Sequence, residues 1–129
     1  MNRSAIIANP IVHIELLTDE LGKAKSFYSE LFDWELEDVP MHNGGVYTMV
    51  NVGEGTGGGM MTNQVPGYPP HWQAYVGVDD IAASTDKAKS LGATIGQDVT
   101  EVANFGWFSV IIDPTGAAIA LWQSKKMPE

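Results

Sequence analysis

The segment Ile11–Leu17, IVHIELL, is apolar and rich in β-branched residues except at His13 and Glu15. Side chains alternate between the faces of a strand, so His13, Glu15 and Leu17 share one face of a predicted strand and Ile14 and Leu16 the other. The period then changes. After the capping pair Thr18-Asp19, apolar residues fall at Leu21, Ala24, Phe27, Tyr28 and Leu31, steps of three and four that predict an amphipathic helix laid on a sheet. The Phe27-Tyr28 pair is expected to anchor that helix, with the Phe27 ring buried. Three shorter strands are predicted next, at residues 34–39, at 46–52 after the turn His42-Asn43-Gly44-Gly45, and at about 57–62.

Residues 63–70 include Pro66, Gly67, Pro69 and Pro70 and form a stiff linker that cannot continue a sheet interior. Beyond it the pattern restarts. A strand is predicted at 72–78, then a helix opened by Asp79-Asp80, lined by Ile81, Thr85, Ala88 and Leu91 and stopped by Gly92, then strands at 93–99, 107–112 and 117–123. An offset of 60 places His13 on Gln73, Asp19 on Asp79, Leu21 on Ile81 and Leu31 on Leu91. In the later strands an offset of 61 places Gly45 on Gly106, Tyr47 on Phe108, Gly55 on Gly116 and Gly59 on Ala120. The chain therefore reads as one α+β domain, 1–129, of two tandem βαβββ modules: about 10–62, the linker 63–70, and about 71–123. Eight strands in a curved, cup-like mixed sheet with the helices outside would leave a concave, strand-lined cavity.

Composition narrows the partners. With 129 residues, 44% hydrophobic and 18% charged, the chain has enough apolar material for one core. A net charge of −9 opposes phosphate backbones and anionic membranes, so neither nucleic acid nor membrane is expected as a partner. Cysteine is absent, which removes disulfides, thiolate metal sites and cysteine nucleophiles. No apolar run approaches the roughly 20 residues of a membrane span, and residues 1–10 have one Arg and a short apolar stretch, so a cytoplasmic location is expected. The glycine-rich run 53–59 has no Lys of a phosphate loop, and Gly-x-Ser-x-Gly does not occur, so neither a nucleotide site nor a serine hydrolase is supported.

Three segments together carry a family likeness: His13-Ile14-Glu15-Leu16 running through Lys23-Ala24-Lys25-Ser26-Phe27-Tyr28 to Leu31-Phe32-Asp33-Trp34; Val76-Gly77-Val78-Asp79-Asp80-Ile81; and Asp113-Pro114-Thr115-Gly116 with the strand after it. In these the chain resembles the vicinal oxygen chelate superfamily of glyoxalases, extradiol dioxygenases and bleomycin-resistance proteins, over nearly its whole length. The resemblance implies a paired-βαβββ domain, a homodimer, and in the enzymes of the family one divalent metal held by a His or Gln on the first strand and an acid on the last strand of each unit. Carried over, the first-strand positions are His13 and Gln73, while the acid positions fall on Gly59 and Ala120, which have no side-chain oxygen. Two neutral ligands lack the charge that hard divalent cations take from carboxylates, so no metal cofactor is expected. A displaced site of His13, Glu15, His71 and Gln73 is the alternative that would restore one.

The resemblance turns the face of His13 and Glu15, and the equivalent face of Gln73 and Tyr75, into the cavity. Glu15 is then a carboxylate facing an interior, which costs several kcal/mol unless it is bonded. Either it makes a structural bond to Tyr75 or a backbone amide, or it serves as a general base or ligand anchor with His13 beside it. Small residues at Gly59 and Ala120 would leave room, walled by Tyr47, Met49, Met61, Tyr75, Trp107 and Trp122 with Gln73, for a planar or apolar small molecule. The expected function is to bind such a molecule, either as a glyoxalase-like lyase or isomerase using Glu15 or His13, or as a non-catalytic sequestering protein of the drug-resistance type. A dioxygenase would require the displaced metal site.

Overall fold

The strand that the IVHIELL pattern predicts runs over Ile11–Leu17 (β1), and the elements that follow are helix α1 (Leu21–Leu31), strands β2 (Glu35–Pro40), β3 (Val46–Asn51), β4 (Gly58–Met61) and β5 (His71–Gly77), helix α2 (Ile81–Ser90), and strands β6 (Thr94–Val102), β7 (Gly106–Ile112) and β8 (Ala118–Ser124). The computed structural model describes residues 8–41, 44–63 and 67–125. His42 and Asn43 of the predicted turn, Pro66 of the linker and residues 1–7 lie outside the described residues. The class is α+β, with eight strands in a mixed sheet and two helices, in the order of two βαβββ units. By contacts the chain divides into a first unit, His13–Gln73, and a second unit formed by Ala74–Glu129 with the Met1–Val12 segment.

In the first unit the strands are ordered β2-β3-β4-β1. β4 runs parallel to β1, pairing Glu15 with Gly59 and Leu16 with Met60, and antiparallel to β3, pairing Met49 with Gly59. Alternation then places Leu16, Val50 and Met60 on one face, where they form the buried core against Leu21, Ala24, Tyr28, Trp34 and Leu36. Met60 is fully buried. On the same face Thr48 is fully buried, and its hydroxyl donates to Asp38 Oδ1 at 2.7 Å. That bond, followed by the one from Lys25, holds the Asp38 carboxyl below its ordinary range.

The helix stripe differs from its prediction at one end. Phe27 is 59% exposed and Leu31 56%, and Tyr28 takes the anchoring place. The reason is angular: Leu21, Ala24 and Tyr28 lie within one narrow sector of a 3.6-residue helix, whereas Phe27 sits well outside it. Tyr28 stacks on Trp34 at 5.6 Å between ring centroids, meets Trp72 edge-on at 5.5 Å, and its hydroxyl accepts from Trp72 Nε1 at 3.3 Å. The start also differs, because the N-cap is Glu20, which makes no side-chain cap bond, while Thr18 Oγ1 accepts from the Glu20 amide at 3.2 Å.

In the second unit the order is β5-β8-β7-β6, with β5 parallel to β8 and the other pairs antiparallel. Here Asp80 caps α2 as predicted, its Oδ1 accepting from the Ala83 amide at 3.1 Å. Gly92, at φ +104°, ends the helix in a conformation that residues with a Cβ rarely adopt. β6 extends to Val102, past its predicted end, by passing through two register shifts around Gln97. The Asp113 turn is a hydrogen-bonded cap: Oδ1 accepts from the Thr115 amide at 2.7 Å, the Thr115 hydroxyl at 2.6 Å and the Ala117 amide at 3.1 Å. These bonds, Thr115's hydroxyl first, hold the Asp113 carboxyl below its usual range.

Candidate functional site

Opposite the α1-packed face of the first unit, the register brings together Glu15, Gly59, Met49 and Met61, with His13 and Tyr47 on the same alternation. Glu15 is 7% exposed. Tyr47, which the sequence did not single out as a partner, bonds to it: the Tyr47 hydroxyl donates to Glu15 Oε1 at 2.9 Å. The same phenol oxygen lies 2.7 Å from His13 Nε2, and that nitrogen stands 3.7 Å from Glu15 Oε1. The imidazole lies near parallel to the phenol ring, their planes 19° apart. The sequence placed Tyr47 among the cavity walls, yet its hydroxyl is the hub of the cluster.

Gly59 is what admits that hub. A Cβ on Gly59 would collide with Oη, Cζ and Cε2 of Tyr47, so the tyrosine occupies the space that a side chain at this position would take. A metal carried over from the family resemblance therefore does not fit. At Gly59 there is no donor and the phenol fills the opening, and at Ala120 a fully buried methyl stands in register with Tyr75. Among the described residues no group of three or more His, Asp or Glu is placed to hold an ion. His71, of the alternative ligand set, turns its Nδ1 to the Pro69 carbonyl at 2.9 Å and its ring to Tyr68.

The remaining predicted residues divide. In the first unit Gln73 is buried and Met49 is 43% exposed. In the second unit Tyr75, Ala120 and Trp122 share a face with Phe108, since Tyr75 pairs with Ala120 and Phe108 with Trp122. Trp107 has the opposite parity, that of Ser109, whose hydroxyl is bonded to Thr85 of α2 at 2.9 Å, and Lys125 Nζ lies 5.3 Å from the Trp107 ring centroid. Phe108, not anticipated, takes the place given to Trp107, and the offset of 61 from Tyr47 was the signal for it. A cleft of about 190 Å³ in the first unit, also unforeseen, is lined by Ile14, Trp34, Val50, Val52, Gly58 and Trp72, on the face away from Glu15.

A hydrogen-bonded carboxylate next to a phenol and an imidazole can accept and pass a proton. Among the described residues no helix is long and apolar enough to cross a membrane.

Comparison with known proteins adds the following. The family model described as Glyoxalase/Bleomycin resistance protein/Dioxygenase superfamily matches residues 10–121. The chain is 37% identical over 117 residues to CFP32 of Mycobacterium tuberculosis, whose name makes it a candidate glyoxylase; the match covers 88% of this chain and 45% of CFP32. The chain thus spans about half the length of the curated relatives it matches. Among solved structures, methylmalonyl-CoA epimerase from Mycobacterium tuberculosis has a TM-score of 0.68 at 15% identity, covering 90% of this chain and 88% of the epimerase. The protein BH1468 from Bacillus halodurans C-125 has a TM-score of 0.71 at 15% identity, covering 95% of this chain and 99% of its own. At such identities the likeness is one of fold.

Proposed function

The chain belongs to the glyoxalase/bleomycin resistance protein/dioxygenase superfamily, and from that premise we propose that it binds a small carbonyl compound on the Glu15 face of its first unit. Glu15 acts there as a general base on a carbon-bound proton beside the carbonyl, without a metal, which is lyase or isomerase chemistry. The observation that carries this reading is the 7%-exposed carboxylate held by the Tyr47 hydroxyl at 2.9 Å with an imidazole at 3.7 Å. Burial costs a carboxylate several kcal/mol unless bonds offset it, and a carboxylate held in place by such bonds is suited to take a proton from a group brought within hydrogen-bond reach. The glyoxylase name of CFP32 and the epimerase name of a fold neighbour accord with chemistry beside a carbonyl. The net charge of −9 supports a small-molecule partner over nucleic acid or an anionic membrane.

A second reading, sequestration without turnover, is favoured by one observation: both acid positions of the family's metal site are Gly59 and Ala120. The test is a panel of thioesters and 2-oxo compounds, screened by thermal shift and then followed in D2O by proton NMR. Glu15→Gln is expected to keep the fold with stability changed by less than about 1 kcal/mol, to weaken binding at least about tenfold, and to stop deuterium exchange. EDTA is expected to leave exchange and melting unchanged. Binding without exchange in the wild type supports sequestration, and a Glu15→Gln variant that binds and exchanges like wild type overturns the proposal.

A further inference from the structure

The register carries one row of positions straight across the first unit. Glu15 on β1 pairs with Gly59 on β4, Gly59 with Met49 on β3, and Met49 with Glu37 on the edge strand β2, so all four belong to one face. At the inner end stands the carboxylate held by Tyr47 at 2.9 Å, and at the outer end an exposed one. Between them Gly59 has no side chain and Met49 is 43% exposed. Three strand spacings of about 4.8 Å separate the two glutamates along the sheet, on the order of 14 Å between Cα atoms. Glu35, two residues before Glu37 on β2, is exposed on the same face.

The lysines are placed elsewhere. β1, β2, β3 and β4 contain no Lys or Arg, and the lysines of the first unit, Lys23 and Lys25, both belong to α1. Each already meets a carboxylate: Lys23 Nζ lies 3.0 Å from Glu20 Oε1, and Lys25 Nζ lies 3.0 Å from Asp38 Oδ2 on the helix side of β2. In the second unit Lys87 and Lys89 are on α2, while Lys125 Nζ is bonded to Glu101 and to the Ala103 carbonyl. On the Glu15 face the described group able to carry positive charge is His13, and its Nε2 stands 3.7 Å from Glu15 Oε1. A phosphate or carboxylate approaching along the row therefore meets three glutamates and no lysine. A cation is drawn in by each of the three.

We infer that the Glu15 site selects carbonyl compounds bearing a positively charged group, such as an ammonium, seated over Met49, and that Glu37 with Glu35 beside it determines this specificity. The inference deepens the proposal above and rests on it, since it names the class of compound that the site takes. Thioesters whose carrier bears phosphates are selected against. In water a carboxylate about 10 Å from a unit charge changes affinity roughly twofold, so two of them acting on ligands of opposite charge separate the pair by about tenfold or more before screening.

The test uses three para-substituted acetophenones that share the acetyl group and differ in charge: the trimethylammonium cation, its uncharged tert-butyl isostere and the carboxylate anion. Binding to the full chain is read at the Met49 methyl line of protein labelled with carbon-13 methyl methionine, assigned by its loss in Met49→Leu. At about 10 mM salt the cation is expected to bind at least about tenfold tighter than the anion, and at about 0.5 M salt the ratio is expected to fall to about threefold or less. Glu35→Gln combined with Glu37→Gln, both at exposed positions, is expected to narrow the low-salt ratio at least about threefold and to change the Kd of the uncharged isostere less than about twofold. Glu30→Gln, on α1, is expected to move the ratio by less than about 1.5-fold. An anion that binds as tightly as the cation, a ratio that the double variant leaves untouched, or a Met49 line that answers to none of the three overturns the inference. Failure of the base is read separately, by deuterium exchange into the acetyl group in D2O. Cation preference without exchange leaves the charge selection standing and overturns general-base chemistry by Glu15, whereas exchange with equal affinity for cation and anion does the reverse.

Discussion

Matched positions of the two units have taken opposite chemistries on the same backbone plan. In the first unit Glu15 pairs with Gly59, and in the second Tyr75 pairs with Ala120, the position that the offsets of 60 and 61 give from the sequence. Tyr47 in one corresponds to Phe108 in the other, and Thr48 to Ser109, both fully buried. Glu15 has a phenol hydroxyl and an imidazole beside it, and Tyr75 has the Phe108 ring at 6.4 Å between centroids. The shared positions Thr48 and Ser109 both satisfy a buried hydroxyl, one on Asp38 and the other on Thr85. The two units thus keep a buried, hydrogen-bonded hydroxyl at matched positions on the helix side of their strands and differ on the other side.

Transplanting the carboxylate breaks the comparison most severely. Tyr75→Glu puts a charge at a 7%-exposed position beside an aromatic ring, and is expected to cost roughly 3–5 kcal/mol in urea denaturation. A loss below about 1 kcal/mol would show that the two faces are interchangeable after all. The helix side gives the next effect. Tyr28→Ala removes a ring packed on Trp34 and Trp72 and is expected to cost about 2–3 kcal/mol, against less than about 1 kcal/mol for the exposed Phe27→Ala, both read from urea midpoints.

The smallest effect concerns the Asp113 turn of the second unit. Its carboxyl is held below the ordinary 3.8, so the charged form is favoured by folding. Stability from it is fully present above the ordinary value and is lost as pH falls through the lower folded value. Asp113→Asn is therefore expected to lower Tm slightly at neutral pH, with the difference from wild type shrinking in that acid window. A difference constant with pH would assign the turn's contribution to geometry alone.

Much of the fold was legible because period and punctuation are local signals. IVHIELL marks β1 to the residue, Asp80 and Gly92 bracket α2, and the double offset maps the observed pair Glu15–Gly59 onto the observed pair Tyr75–Ala120. Phe27 was misplaced because adjacent aromatic residues cannot both lie in the centre of a helical stripe, and spacing counted in threes and fours does not say which one does. Of the site, Glu15 and His13 were readable from alternation on one strand. Their link through Tyr47 was not, because it depends on β3 and β4 lying in a register that only the folded strands define. The sign that could have exposed it is the missing Cβ at residue 59 next to a large polar aromatic two strands away.

The glycine run that opens β4 carries a consequence for how this sequence can drift. A side chain at Gly57 would meet the Val50 carbonyl oxygen at 2.9 Å and one at Gly58 would strike the Ile14 carbonyl, so at both positions the obstacle is main chain. At Gly59 the obstacle is the Tyr47 side chain, which can itself mutate. Among homologues, positions 57 and 58 should hold glycine whatever their chemistry, while 59 should vary only in step with 47. A homologue with a carboxylate at 59 is therefore expected to lack a tyrosine at 47, which ties the chemistry of one strand to the size of a residue on its neighbour.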